Sequence, residues 1–339
     1  MNRLLVTGGA GYIGSHTVLK LLENDFDIIV LDNLSNSSKE SLNRVSKLTK
    51  KDIPFVKCDI RDYEALAEVF RKNVITAVIH FAGLKSVSAS VSNPLEYYQN
   101  NVYGSLQLFR AMGNFDVKNI VFSSSATVYG DPDKLPLDES MPAGKPTNPY
   151  GMSKLMIENI LDDIYRSDKS WNIVKLRYFN PVGAHHSGEI GEDPLGIPNN
   201  LMPYICQTAT GEREELKVFG SDYDTLDGSG VRDFIHVCDL AEGHICALER
   251  CYKNNGNDVY NLGTGKGTSV IELIKTFEKV NKVKLNYKIT ERRDGDVASC
   301  FADVKKIKSE LGWFAKRDIN DMCKDAWRWQ SLNPKGYRT

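Results

Sequence analysis

The sequence predicts an α/β fold: a doubly wound parallel sheet joined to a smaller, mixed α/β C-terminal lobe. Three observations carry this. Apolar runs alternate with helical stretches through the first half, a glycine turn follows the first run, and the texture changes at Asn180. Alternation with short connections places helices on both faces of a parallel sheet. Ligands of such sheets bind beyond the C-terminal strand ends.

The first strand is expected over 3–7, through Leu4, Leu5 and Val6. Behind it, residues 7–14 read Thr-Gly-Gly-Ala-Gly-Tyr-Ile-Gly and open a helix over 12–23. Gly9 and Gly11 are expected to take backbone angles that a Cβ forbids and to admit a pyrophosphate, with Gly8 beside them. Gly14 lets the helix pack close to the strand, whose neighbouring N–H groups favour an anion. The next strand, 27–32, ends on Asp32, where a carboxylate can accept ribose hydroxyls and repels the additional phosphate of NADP. The expected fold is therefore Rossmann-type and the expected cofactor NAD.

Further strands are expected at 53–57, 77–81, 119–124 and 172–178, with helices at 38–48, 63–71, 94–113 and 150–167. The last two helices are apolar on more than one side. Leu95, Tyr97, Tyr98, Val102, Leu106, Leu108, Phe109 and Met112 mark one; Met152, Leu155, Met156, Ile157, Ile160, Leu161 and Ile164 mark the other. One stripe covers the sheet, and the second implies a two-fold helical interface, so a homodimer is expected.

Residues 180–200 hold three prolines and four glycines and read as a long loop. The remainder mixes short elements at 201–210, 216–219, 237–253, 257–262, 269–280, 284–289, 303–311 and 318–332. We expect a dinucleotide-binding domain over 1–180, with 236–264 returning to it, and a substrate lobe formed by 181–235 and 265–339.

Composition narrows the function classes. A net charge of −1 over 339 residues provides no field for nucleic acid or an anionic membrane. No apolar stretch approaches the ~20 residues that span a bilayer, and a first strand at residue 3 leaves no room for a signal peptide. A cytoplasmic protein is expected. The seven cysteines form no Cys-x-x-Cys pair, and His185-His186 offer no ligand spacing, so neither a disulfide framework nor a metal site is expected.

Tyr150 and Lys154 lie four apart behind Pro149, which places phenol and ammonium on one helical face. They follow Ser123-Ser124-Ser125 at the mouth of the fifth strand. A free phenol, with a pKa of about 10, is a poor base at neutral pH. Positive charge from Lys154 and from an oxidised nicotinamide favours the phenolate. With Ser125 bridging to the same hydroxyl, the set would take a proton from an alcohol whose carbon gives up hydride.

The glycine turn, Asp32, Ser125 and Tyr150-x-x-x-Lys154 resemble the extended short-chain dehydrogenase/reductase family. Four longer stretches, 80–85, 123–130, 176–184 and 230–237, are similar to its nucleotide-sugar 4-epimerases. That resemblance implies a UDP-sugar substrate, inverted at C4 through a 4-keto intermediate, and again a homodimer. It implies that NAD is held by Gly8, Gly11, Tyr12, Ile13, Gly14, Asp32, Asn33, Leu34, Ser35, Asn36, Ser37, Asp59, Ile60, Phe81, Ala82, Gly83, Leu84, Lys85, Asn100 and Phe179, along with Ser125, Tyr150 and Lys154. It implies a sugar-nucleotide site formed by Lys85, Phe179, Asn180, Asn200, Leu201, Phe219, Arg232, Arg293, Asp296 and Cys300, together with Ser125 and Tyr150. Arginines at 232 and 293 suit a diphosphate, and Asp296 suits a ribose hydroxyl.

Two other readings stay open. A nucleotide-sugar 4,6-dehydratase of this fold needs Asp-Glu where Ala126-Thr127 stand. An NAD-binding redox sensor has no use for Ser125, Tyr150 and Lys154 together. The resemblance also places Cys300 where epimerases confined to plain hexoses carry tyrosine. The smaller thiol leaves room beside sugar C2, so N-acetylated UDP-hexosamines are expected to be accepted too.

Overall fold

A computed structural model of the chain describes residues 3–131, 134–196, 198–253, 256–293 and 296–338. Six strands alternate with helices in the first half: β1 (Arg3–Thr7), β2 (Ile28–Asp32), β3 (Phe55–Lys57), β4 (Ile75–His80), β5 (Asn119–Ser123) and β6 (Asn172–Tyr178). They form a seven-stranded sheet with the distant strand Asn257–Leu262, in the order Asn257–Leu262, β6, β5, β4, β1, β2, β3. Every neighbouring pair from β6 to β3 is parallel. The doubly wound, Rossmann-type architecture expected from the alternation is therefore present. The middle strands are buried along most of their length: Leu5, Val6, Val78, Ile79, Ile120 and Val121 are closed to solvent, as a sheet covered on both faces requires.

Helices Tyr12–Glu23 and Lys39–Thr49 pack together, as do Tyr63–Lys72 and Gly104–Asn114. Side-chain caps set their starts: Ser38 accepts from Glu40 N–H, Asp62 from Ala65 N–H, and Asn148 from Gly151 N–H ahead of the helix Pro149–Ser167. Strand and helix ends fall within a few residues of expectation, with one substantive departure. The single helix expected over 94–113 is a short helix Pro94–Tyr97, a π-helical turn Tyr98–Tyr103 and a helix Gly104–Asn114, preceded by an unexpected helix Val87–Ser92. The wide turn aims the buried Asn101 side chain inward, and π-turns concentrate at functional sites for this kind of reason.

The chain divides into two compact units. The first comprises 1–130, 142–178 and 241–260, and its core gathers Leu5, Ile29, Leu31, Phe70, Leu108, Phe122 and Ile157. The second comprises 131–141, 179–240 and 261–339. In it, Asn180–Val182 pairs in parallel with Phe234–His236, so the stretch read as a loop over 180–200 begins with a strand. Three residues are too few to display an alternation. Leu216–Phe219 pairs with Tyr287–Thr290, and Val231–Arg232 lies between Thr268–Ser269 and Ser299–Cys300. Helices Leu201–Ala209 and Val270–Asn281 both pack on Ile319–Leu332, over a core including Ile205, Phe234, Phe277 and Met322. Among the described residues, no helix is long and apolar enough to cross a membrane.

Candidate active site

The glycine turn behaves differently from its sequence reading. Gly8 is the residue in the left-handed region, at φ +69°, and a Cβ there would stand 2.6 Å from Ala82 N. Gly11 has an ordinary φ of −73°, and Gly9 is not in the left-handed region either. Gly9 is small for a packing reason instead: a Cβ would meet Val30 Cγ1 at 2.7 Å. Gly14 fills its expected role, since a Cβ would lie 2.3 Å from Gly8 O, against backbone that has nowhere to move. The result is a cradle of bare main chain at the mouth of β1, closed by the start of a helix. Tyr12 and Ile13 contribute the first N–H groups of that helix, which have no intrahelical carbonyl to bond. This surface fits a dinucleotide pyrophosphate.

Asp32, buried at the end of β2, accepts from Ala10 N–H at 3.1 Å, Leu34 N–H at 2.9 Å and Ser37 Oγ at 2.8 Å. A carboxylate has about four acceptor sites. One ribose hydroxyl can therefore join directly, and a second enters when Ser37 gives way. Asn33 donates to Asp59 at 3.0 Å, and Asn33 Oδ1 accepts from Ser35 N–H. The Arg61 guanidinium, forked onto Asp59, holds that carboxyl below the usual carboxylate range. Ser35 and Asn36 are exposed in this loop. The Ile60 side chain is buried in the core, leaving only its main chain for a ligand. Beyond β4, Phe81 N–H binds Thr7 O, Ala82 abuts Gly8, and Lys85 Nζ stands 6.0 Å from the Tyr12 ring centre.

Ser125 follows β5 and starts the 3₁₀ turn Ala126–Tyr129, accepting from Thr127 N–H at 3.2 Å and Thr127 Oγ1 at 3.0 Å. Tyr150 and Lys154 occupy the first two turns of the next helix, both buried. The Ser125 hydroxyl stands near enough to Tyr150 to favour its ionised form, so the structure brings phenol and hydroxyl together. Burial raises the phenol above its ordinary value, Tyr178 adds to this, and the nearby Ser125 hydroxyl only partly offsets it. Lys154 is lowered to about 8 by burial, against the opposing pull of Glu158. Its ammonium donates to Ser123 O at 2.8 Å and lies 5.0 Å from the Phe122 ring centre. The side chains of the protein alone therefore keep Tyr150 protonated. Ionising it takes further positive charge.

Three groups escaped the sequence reading. Asn101 accepts from Leu84 N–H at 2.8 Å and donates to Leu84 O and to Ser153 Oγ, each at 3.0 Å. Asn100 in turn donates to Asn101 Oδ1 at 3.0 Å, so it supports this lock on the loop. His80 is buried between Thr7 Oγ1 at 2.7 Å and Ser105 Oγ at 2.9 Å, and burial lowers it to about 3, so it is neutral. Glu158 lies one turn beyond Lys154 and accepts a fork from Arg177. Only Glu158 carried a sequence signal, a carboxylate four residues past a lysine on an apolar helix.

In the second unit, five expected residues form one cluster. Arg293 forks onto Asp296 at 2.9 and 3.2 Å and lies 4.7 Å from the Phe219 ring centre. Arg232 Nη2 stands 3.7 Å from the same carboxylate, while its Nη1 donates to Val231 O and Val297 O. Cys300 pairs with Arg232 across the short sheet and is half-buried. Asn180 joins through Asp233, its N–H binding Asp233 O at 2.9 Å while Asp233 N–H binds Cys300 O at 3.1 Å. Phe179, buried beside it, binds Leu262 O through its N–H. Asn200 donates to Glu192 at 2.7 Å, and Leu201 packs on the apolar core. Among the described residues, no hydrogen bond or ion pair ties these last two to the arginine cluster.

Residues 4–263 match the model of the NAD dependent epimerase/dehydratase family. The chain belongs to that family. A UDP-glucose 4-epimerase of Bacillus subtilis (strain 168) is 59% identical over 336 residues, covering 99% of both chains. The crystal structure of a UDP-glucose 4-epimerase from Bifidobacterium longum in complex with NAD+ and UDP shares 52% identity at a TM-score of 0.96, over 99% of this chain and 100% of that one. A UDP-Glc/GlcNAc 4-epimerase from Campylobacter jejuni matches at a TM-score of 0.85 and 36% identity, over 98% and 100%. Membership agrees with the cradle at the mouth of β1. It also agrees with the Ser125–Tyr150 contact, since the family works with NAD.

Proposed function

We propose that this chain interconverts UDP-galactose and UDP-glucose by transient oxidation at sugar C4, through a 4-keto sugar. The observation that carries the reading is a buried Tyr150 beside Ser125, with Lys154 one helical turn away. NAD, when bound, supplies the acceptor for the C4 hydride, returns it, and brings a positive charge. Gly8, Gly11, Gly14, Tyr12, Ile13, Asp32 and the 81–85 loop would hold it. Tyr150 Oη takes the C4 hydroxyl proton and later gives it back, while Ser125 Oγ bonds the same oxygen and fixes its orientation. Lys154 favours the ionised phenol. Arg232 and Arg293 grip the diphosphate, and Asp296 accepts from the uridine ribose. Inversion needs the nucleotide held tightly and the sugar loosely, so that either face of C4 is presented.

The test is an assay with UDP-galactose and no added reductant, beside identification of the nucleotide released on denaturation. UDP-glucose formation and released NAD are expected; failure to interconvert the sugars refutes the reading. The 4,6-dehydratase alternative fares worse, because Thr127 donates to Ser125 and no carboxylate stands at 126–127.

Half-buried Cys300 supports acceptance of UDP-N-acetylglucosamine and UDP-N-acetylgalactosamine as well. A homodimer is supported by apolar side chains left in water on the first unit: Leu95, Tyr103, Leu106 and Met156 are all exposed. The composition and the lack of a membrane-crossing helix among the described residues support a cytoplasmic location.

A further inference from the structure

The charges buried behind Tyr150 do not balance. Lys154, Glu158 and Arg177 are all nearly closed to solvent, two cations to one anion. Glu158 commits both oxygens to other partners than the lysine. Oε1 accepts from Ser124 Oγ at 2.5 Å and Arg177 Nε at 3.0 Å, and Oε2 from Arg177 Nη2 at 2.6 Å. Arg177 also lies 4.8 Å from the Tyr129 ring centre. Lys154 is left with the neutral carbonyl of Ser123.

A buried ion is stabilised by a counter-charge, or else it loses its proton. With Glu158 neutralised by Arg177, the anion best able to satisfy Lys154 is the Tyr150 phenolate. We propose that Arg177 and Glu158 are positioning residues that set the ionisation of Tyr150, Arg177 by withholding Glu158 from Lys154. The inference rests on the acid/base role proposed above for Tyr150. Among the described residues, the other titratable groups facing this site are neutral or weakly acidic: His80 on β4, Tyr178 on β6, Tyr97 on the helix Pro94–Tyr97, and Tyr129 on the 3₁₀ turn.

The two single substitutions must act in opposite directions. Arg177→Gln leaves Glu158 uncompensated, which disfavours the phenolate. Glu158→Gln leaves Arg177 uncompensated, which favours it. The holoenzyme is assayed for the acid limb of kcat/KM against pH. Alongside, Tyr150 ionisation is read as phenolate absorbance, by difference from Tyr150→Phe. Arg177→Gln is expected to move both midpoints up by about one pH unit, Glu158→Gln to move both down by a similar step, and the double variant to return near the starting value. Arg177→Lys, which keeps the charge, should stay with the unmodified enzyme.

Midpoints that do not move, or that move the same way in both single variants, overturn the proposal. One folded single variant is enough, because each has its own sign. If neither folds while the double variant does, the pair is a folding element and the proposal fails. If Tyr150→Phe keeps its activity, the acid/base reading itself has failed, which is a different result.

Discussion

Asn101→Ala isolates the lock on the 81–85 loop. Asn101 is closed to solvent and makes three hydrogen bonds outside its own helix: to Leu84 N–H at 2.8 Å, Leu84 O at 3.0 Å and Ser153 Oγ at 3.0 Å. Truncation removes all three and leaves the Leu84 N–H and C=O without this partner. At about 1 kcal/mol per lost bond, the cost is about 3 kcal/mol. In a chain of this size that lowers the melting temperature by about 4 °C. Because Leu84 belongs to the proposed NAD contacts, the variant should also release NAD more readily. Thermal melts with and without added NAD read both effects, and added NAD should recover part of the loss. Asn101→Asp is the control. It has the same shape, but it sets a carboxylate oxygen against Leu84 O and against Ser153 Oγ, whose proton goes to Tyr150 O at 2.7 Å. It should therefore be no more stable than the alanine variant. An aspartate variant that melts with the unmodified protein would refute the reasoning.

Lys154→Met should abolish epimerisation yet raise the melting temperature of the cofactor-free protein at pH 7. Lys154 is lowered to about 8 from 10.5, so between those values the unfolded chain binds more protons and stability rises with pH. The advantage of the methionine variant should shrink across that window. Cys300→Tyr should remove turnover of the N-acetylated sugars while sparing UDP-galactose; equal loss on both contradicts the pocket argument. Leu106→Glu with Met156→Glu should convert a dimer to a monomer in sedimentation at micromolar concentration. Gly14→Ala should cost about 1–3 kcal/mol in denaturant melts, because the new methyl meets Gly8 O at 2.3 Å.

Much of this was readable from residue order. Continuous apolar runs mark β1, β2 and β4, because strands covered on both faces need no polar alternation. Tyr150 and Lys154 were legible because their chemistry needs fixed spacing on one helix. The expectation for Gly9 failed because sequence distinguishes poorly between a glycine needed for its φ and one needed for its size; here Val30 decides, from another strand. Asn101 was invisible because its partners are 17 and 52 positions away. Without cofactor, Tyr150 lies above the ordinary phenol value because burial dominates and the Lys154 ammonium already serves Ser123 O; the expected lowering calls for the nicotinamide charge as well.

The seventh strand has a consequence for biogenesis. Asn257–Leu262 completes the sheet beside β6, and Ile173 N–H already reaches Gly256 O at 2.8 Å. Until about residue 262 has left the ribosome, β6 presents an open row of amides and carbonyls to any other nascent chain. Truncation products ending before that strand should therefore precipitate rather than persist as a free-standing nucleotide-binding fragment.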